Sequence, residues 1–183
     1  QTKAVLPSAH KNITHLPVVG SQGGIGACAS WATTYYLKTW QEAKERGWVR
    51  PDPVTHKRRV ANPLYCYSIQ SGGTDEGSSL IGNLQFMTRH GAATYYDRPI
   101  DRYLELPKEE EWKGAAAWRT QSVSMIETNT PEGMAALKEH LVGGNLAAVA
   151  IYWPKNLAHG YPAEGPGISN AVYYLPDGGA YIP

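Results

Sequence analysis

Seven consecutive residues, Gln22-Gly23-Gly24-Ile25-Gly26-Ala27-Cys28, constrain this chain more than any other stretch. Three closely spaced glycines stop regular structure from running through from the N-terminal side. A long periodic pattern follows at once. Ala32, Tyr35 or Tyr36, Trp40 and Ala43 recur at three- and four-residue spacing, Glu42, Lys44 and Glu45 take the wetter side, and Gly47 is a natural stop. The spacing predicts one helix over about 27–46, with Cys28 at its start.

That placement has a chemical reading. A thiol nucleophile must ionise near neutral pH, face a cleft and lie close to donors that hold an oxyanion. Unpaired N–H groups and the helix dipole at a helix N-terminus favour the thiolate. Glycines just before it let a substrate backbone come close, and a neutral amide such as that of Gln22 can donate to an oxyanion without bringing a competing charge. The bland alternative makes Cys28 a small buried helix residue.

The rest of the chain shows further elements. Pro7 and Pro17 mark residues 1–21 as an extended entry segment, and Pro51, Pro53 and the run Lys57-Arg58-Arg59 mark a surface loop over 48–60. A helix is predicted over 79–90, with Ser78 or Ser79 as cap, Leu80, Leu84 and Met87 as its stripe and Gly91 as its stop. Residues 98–121 read as irregular and acidic-polar. Thr130 as cap and Pro131 in the first position predict a short helix to Leu141 with Met134, Leu137 and Leu141 as its apolar stripe. The continuous apolar run 146–152 reads as a buried strand, and 171–175 as a second. Helices first and strands later predict an α+β protein.

Composition removes several classes of function. With 42% hydrophobic and 18% charged residues the chain is globular, and 183 residues suffice for one core. A net charge of +1 argues against nucleic acid as the main partner. No apolar stretch reaches the length of a membrane span. Twelve Tyr and six Trp against one Phe suit half-buried groove walls. Two cysteines exclude a disulfide scaffold, and no His-x-x-x-His or Cys-x-x-Cys spacing offers a metal site, so neither metal nor cofactor is expected. Asn12-Ile13-Thr14 matches a glycosylation triplet, a pattern common by chance.

The run Val18 to Ala32, with Gln22 six residues before Cys28 and glycines between, resembles the active-site segment of papain-family (C1) peptidases. Asn62-Pro63-Leu64-Tyr65 resembles a short element of bacterial members. Gly72-Gly73-Thr74-Asp75-Glu76-Gly77-Ser78-Ser79 and the helix ending His90-Gly91-Ala92 resemble the cleft wall and the helix behind it. The resemblance implies that Cys28 is the attacking sulfur, that Gln22 and the Cys28 backbone N–H are the oxyanion donors, and that Gly26, Gly77 and Ser78 contact substrate. It implies a single papain-like domain, with a helical half over about 22–97 and part of a β half over about 98–183. Ile25 stands where many members have a disulfide cysteine, and Ala29 where many have Trp.

The family's catalytic histidine, in a His-Ala-aliphatic run, and its later Asn have no counterpart here. The expectation is therefore a domain incomplete at its C-terminus, whose His and Asn come from a missing or separate C-terminal segment, with a companion polypeptide expected to complete the sheet and the site. His10, His15, His56, His90 and His140 read as solvated or structural, and His159 is the best internal substitute. Cys66 reads as a buried inert thiol. The function expected is peptide-bond hydrolysis through an acyl-enzyme on Cys28, with an inactive peptide-binding or assembly homologue as the alternative. A start at Gln1 and the habits of the family lean towards secretion.

Overall fold

The computed structural model describes residues 6–7, 9–98, 102–150, 153–154 and 181–182. The chain divides into two compact units, Gln1–Ala148 and Val149–Pro183. In the first, helical conformation runs unbroken from Cys28 to Arg46: α1 (Cys28–Ser30), a π-helical stretch (Trp31–Lys38) and α2 (Thr39–Arg46). The Thr33 hydroxyl donates to the carbonyl of Ala29 at 2.8 Å, engaging a carbonyl that the α-type ladder would use. The wider π winding of the next turns accords with that competition. Gly47, in the left-handed region at φ 68°, ends α2.

Two helices follow the caps read from the sequence. The Ser79 hydroxyl accepts from Gly82 N at 3.0 Å and opens α4 (Leu80–His90). The Thr130 hydroxyl accepts from Gly133 N at 3.0 Å and opens α6 (Pro131–Val142), with Pro131 in the first turn. The stripe of α6 is shallow, however. None of its residues is fully buried, and Met134 stays 39% exposed.

Two helices lie where none was expected. α3 (Pro63–Gln70) is capped by Asn62, whose side chain accepts from Leu64 N at 2.8 Å, and it buries every residue from Pro63 to Ser68. α5 (Glu109–Ala115) falls in the stretch read as irregular. Its first turn holds three glutamates, which favour the positive end of the helix dipole, and Lys113 pairs with Glu109 at 2.7 Å. A 3-10 turn, Ala116–Trp118, continues it, and another spans Lys57–Arg59.

The α+β expectation, with part of a β-sheet half, is overturned: the described part of the chain is helical. Among the described residues, strand pairing amounts to one isolated antiparallel bridge, Ala61 with Thr94, and a two-residue ladder of β1 (Trp153–Pro154) with β2 (Tyr181–Ile182) in the second unit. The apolar run at 146–152 misled for a physical reason. Continuity of apolar side chains predicts burial only if a neighbouring strand takes up the backbone N–H and C=O groups. Residues 146–150 have no such ladder, and Val149 is 60% exposed. Residues 151–152, and the second strand expected at 171–175, lie outside the described residues.

Two apolar clusters hold the first unit together. One gathers Tyr65, Cys66, Phe86, Met87, Ala115 and Trp118 between α3, α4 and the α5 region. The other packs Ala27, Trp31, Tyr35, Val60, Leu64 and Tyr67 beneath the glycine-rich turn. The entry segment closes over the long helix: Tyr35 Oη donates to Val18 O at 2.8 Å and Trp40 Nε1 to Asn12 O at 3.0 Å. The Asn12 side-chain nitrogen, the atom a glycan would occupy, donates to the carbonyls of Leu141 and Asn145, each at 2.8 Å.

Gly91 shows how tightly α4 is packed. Its φ of 83° and ψ of −163° belong to a region open essentially to glycine, and an added Cβ would lie 1.8 Å from the Ala115 carbonyl oxygen. Gly91→Ala is expected to cost about 3 kcal/mol or more, read as a lower urea midpoint at unchanged slope.

Candidate active site

Cys28 is the first residue of the long helix and is exposed, whereas its neighbours Ala27, Ala29 and Ser30 are buried. The buried neighbours anchor the backbone and leave the thiol facing outward. In the first turn of a helix the Cys28 N–H has no intrahelical acceptor, so it is open to an incoming oxygen. Gln22 Nε2 donates to Ile25 O at 2.8 Å, which fixes the amide against the turn and occupies one of its two N–H bonds. Ile25 packs on the apolar cluster below the turn.

The loop between α3 and α4 packs beside this turn. Gly77 has φ 93°, and an added Cβ would lie 3.8 Å from the Gly26 carbonyl oxygen, so the two loops run side by side. Ser78 is fastened to the long helix. Its hydroxyl accepts from Asn83 Nδ2 at 3.0 Å and lies 3.5 Å from the Ser30 hydroxyl, which itself donates to Asn83 Oδ1 at 2.9 Å. Gly26, Gly77 and Ser78, expected from the sequence to contact substrate, therefore line adjoining stretches of backbone beside the Cys28 turn.

The charge at this junction is Asp75. Its Oδ1 accepts from Gly26 N at 2.8 Å and from Tyr67 Oη at 2.5 Å. These two donors, Tyr67 first, hold its carboxyl below the usual carboxylate range. Burial and the bond to Asp75 push the Tyr67 phenol up to about 12, so it stays a protonated donor at any physiological pH. Neither Asp75 nor the buried amide of Asn83 was singled out from the sequence. Asn83 did carry a signal, as a polar residue between the apolar positions Leu80, Leu84 and Met87 of α4.

No family model matches the chain, and no curated protein matches it significantly. Among solved structures, xylellain, a cysteine protease from Xylella fastidiosa, superposes with a TM-score of 0.56 at 14% identity, over 77% of this chain and 58% of that one. The chain shares the fold of xylellain over the matched part. At that identity the likeness extends to the fold alone, and this chain spans less than two thirds of the length of xylellain.

Set in that fold, the remaining titratable groups divide clearly. Each described histidine is engaged away from Cys28. His10 bonds Asn12 Oδ1 at 2.9 Å, His15 the carbonyl of Trp48 at 2.6 Å, and His140 the carbonyl of Leu146 at 3.1 Å. His56 lies 3.2 Å from the Thr55 hydroxyl, and His90 stacks on Phe86 and Trp112. His159 lies outside the described residues. Cys66 is fully buried and its thiol is pushed up to about 12 by that burial, so it is an inert core residue. Among the described residues no group of His, Cys, Asp and Glu could hold a metal ion, and no helix is long and apolar enough to cross a membrane.

Proposed function

We propose that this chain carries the nucleophile of a papain-like cysteine peptidase that cleaves peptide bonds through an acyl-enzyme on Cys28. The observation that carries the reading is an exposed cysteine opening a long helix, with the Gln22 amide fixed on the same turn. The Cys28 sulfur, as thiolate, attacks the peptide carbonyl carbon. The carbonyl oxygen becomes an oxyanion held by the Cys28 N–H and the free Gln22 N–H. Collapse breaks the C–N bond, and the amine leaves with a proton from a histidine. Water then adds to the thioester, the histidine takes its proton, and the acid is released with the thiolate restored.

That histidine belongs outside the described residues, since each described one is committed elsewhere. A companion polypeptide that brings it to the Cys28 turn is part of the proposal. The glycine-bearing wall at Gly26 and Gly77 supports a peptide substrate read by its backbone.

The test is peptide hydrolysis by the purified protein together with whatever co-purifies. Gln22→Ala is expected to lower kcat by about 10²–10³-fold, the usual loss for one oxyanion donor. An unchanged kcat would remove Gln22 from the mechanism. Tight peptide binding without any hydrolysis would favour the inactive, peptide-binding homologue.

A further inference from the structure

The loop at 72–77 and the turn at 22–28 are far apart in sequence, and a single carboxylate oxygen joins them. Among the described residues, the other hydrogen bonds of 72–76 return to the end of α3. Gly72 N donates to Ile69 O at 3.1 Å, Gly73 N to Ser68 O at 2.8 Å, and the Thr74 hydroxyl to Ser71 O at 2.6 Å. Asp75 alone crosses to the nucleophile turn, through Gly26 N. The same oxygen accepts from Tyr67, and the Tyr67 hydroxyl in turn accepts from Gly77 N at 3.3 Å. One short chain of bonds thus runs from Gly26, two residues before Cys28, through Asp75 and Tyr67 to Gly77 on the adjoining loop. Both cysteines are free thiols, so no disulfide ties these loops.

We propose that Asp75 is a positioning residue that clasps the Gly77 wall to the nucleophile turn, so that a peptide laid along that wall presents its carbonyl to Cys28. This role rests on the peptidase reading. Three features argue for it. A carboxylate oxygen accepting an N–H and an O–H together forms charge-assisted bonds, stronger than neutral ones. Tyr67 is itself buried, which gives the clasp a fixed post. The two loops meet closely at Gly26, where an added Cβ would lie 3.1 Å from Tyr67 Oη and 3.3 Å from the Asp75 carbonyl oxygen.

The test compares two reagents on the full chain with its co-purifying partners: a peptidyl epoxide, which must be aligned along the wall, and iodoacetamide, which need not be. The readout is the ratio of their rates of Cys28 modification. Asp75→Ala is expected to lower that ratio roughly tenfold or more, the scale of a small misalignment of reacting atoms. Tyr67→Phe, which keeps the ring and removes only the hydroxyl, is expected to lower it in the same direction. Asp75→Asn keeps an accepting oxygen and is expected to recover much of the loss. A wild-type ratio in both Asp75→Ala and Tyr67→Phe would overturn the clasp alone. A wild-type protein that resists the peptidyl epoxide while iodoacetamide still labels Cys28 would overturn the peptidase reading, and the positioning role with it.

Discussion

On the proposed peptidase reading, Cys28→Ala is expected to lower peptide hydrolysis by on the order of 10⁴–10⁶-fold, the range seen when the nucleophile of an acyl-transfer enzyme is removed. The loss is expected in kcat, with peptide binding retained, because the wall at Gly26, Gly77 and Ser78 does not depend on the sulfur. Stability should move by no more than about 0.5 kcal/mol, since the Cys28 side chain is exposed and truncating it opens no cavity. Cys66 cannot take over. It is sealed in the cluster formed by Tyr65, Phe86 and Met87, and its thiol remains protonated at neutral pH. Matched thermal unfolding of wild type and variant separates lost chemistry from lost fold.

The second large effect lies away from the cleft. Arg98 is 1% exposed and pairs with Glu111 at 2.6 Å, whose own side chain is 6% exposed. Its guanidinium also donates to the Ser68 hydroxyl at 3.3 Å and to the carbonyls of Arg102 and Glu105. Asn62 Nδ2 donates to the Arg98 carbonyl at 2.8 Å, so the cap of α3 leans on the same residue. Arg98→Leu would strand the Glu111 carboxylate in the interior and release two carbonyls. The expected cost is about 3–5 kcal/mol, a fall in Tm of about 10 °C for a chain of this size. Arg98→Leu with Glu111→Leu should recover much of it, because removing both charges costs less than orphaning one. A double variant no more stable than the single would show that the bonds to Arg102 and Glu105, rather than the ion pair, carry the effect.

The parts legible in the sequence were those set by local signals. The long helix followed from the glycine turn and the spacing of Ala32, Trp40 and Ala43, and α4 and α6 from their Ser and Thr caps. α3 went unread because its residues from Pro63 to Ser68 are all buried, so no polar face marked a period. The Asn62-Pro63 pair was its available signal. α5 went unread because three glutamates look like a solvated loop until the helix dipole is counted. The run after Gly144 reads as a strand only if apolar character means burial, and Val149 is 60% exposed. At the candidate site, Cys28, Gln22, Gly26, Gly77 and Ser78 come from short motifs; the first three lie on the glycine-rich turn and Gly77 and Ser78 on the loop packed beside it. The bond from Gly26 to Asp75 spans 49 residues, a pairing that no local pattern encodes.

The most direct test of the central claim is to catch the acyl group. The protein and its co-purifying partners are mixed with an activated peptide ester, quenched in acid within the first turnover, and mapped by mass spectrometry. The account predicts one acyl group per chain on the peptide that contains Cys28, none on the peptide that contains Cys66, and its disappearance as hydrolysis proceeds. Product accumulating while Cys28 stays unmodified, or peptide bound without any acylation, would contradict it.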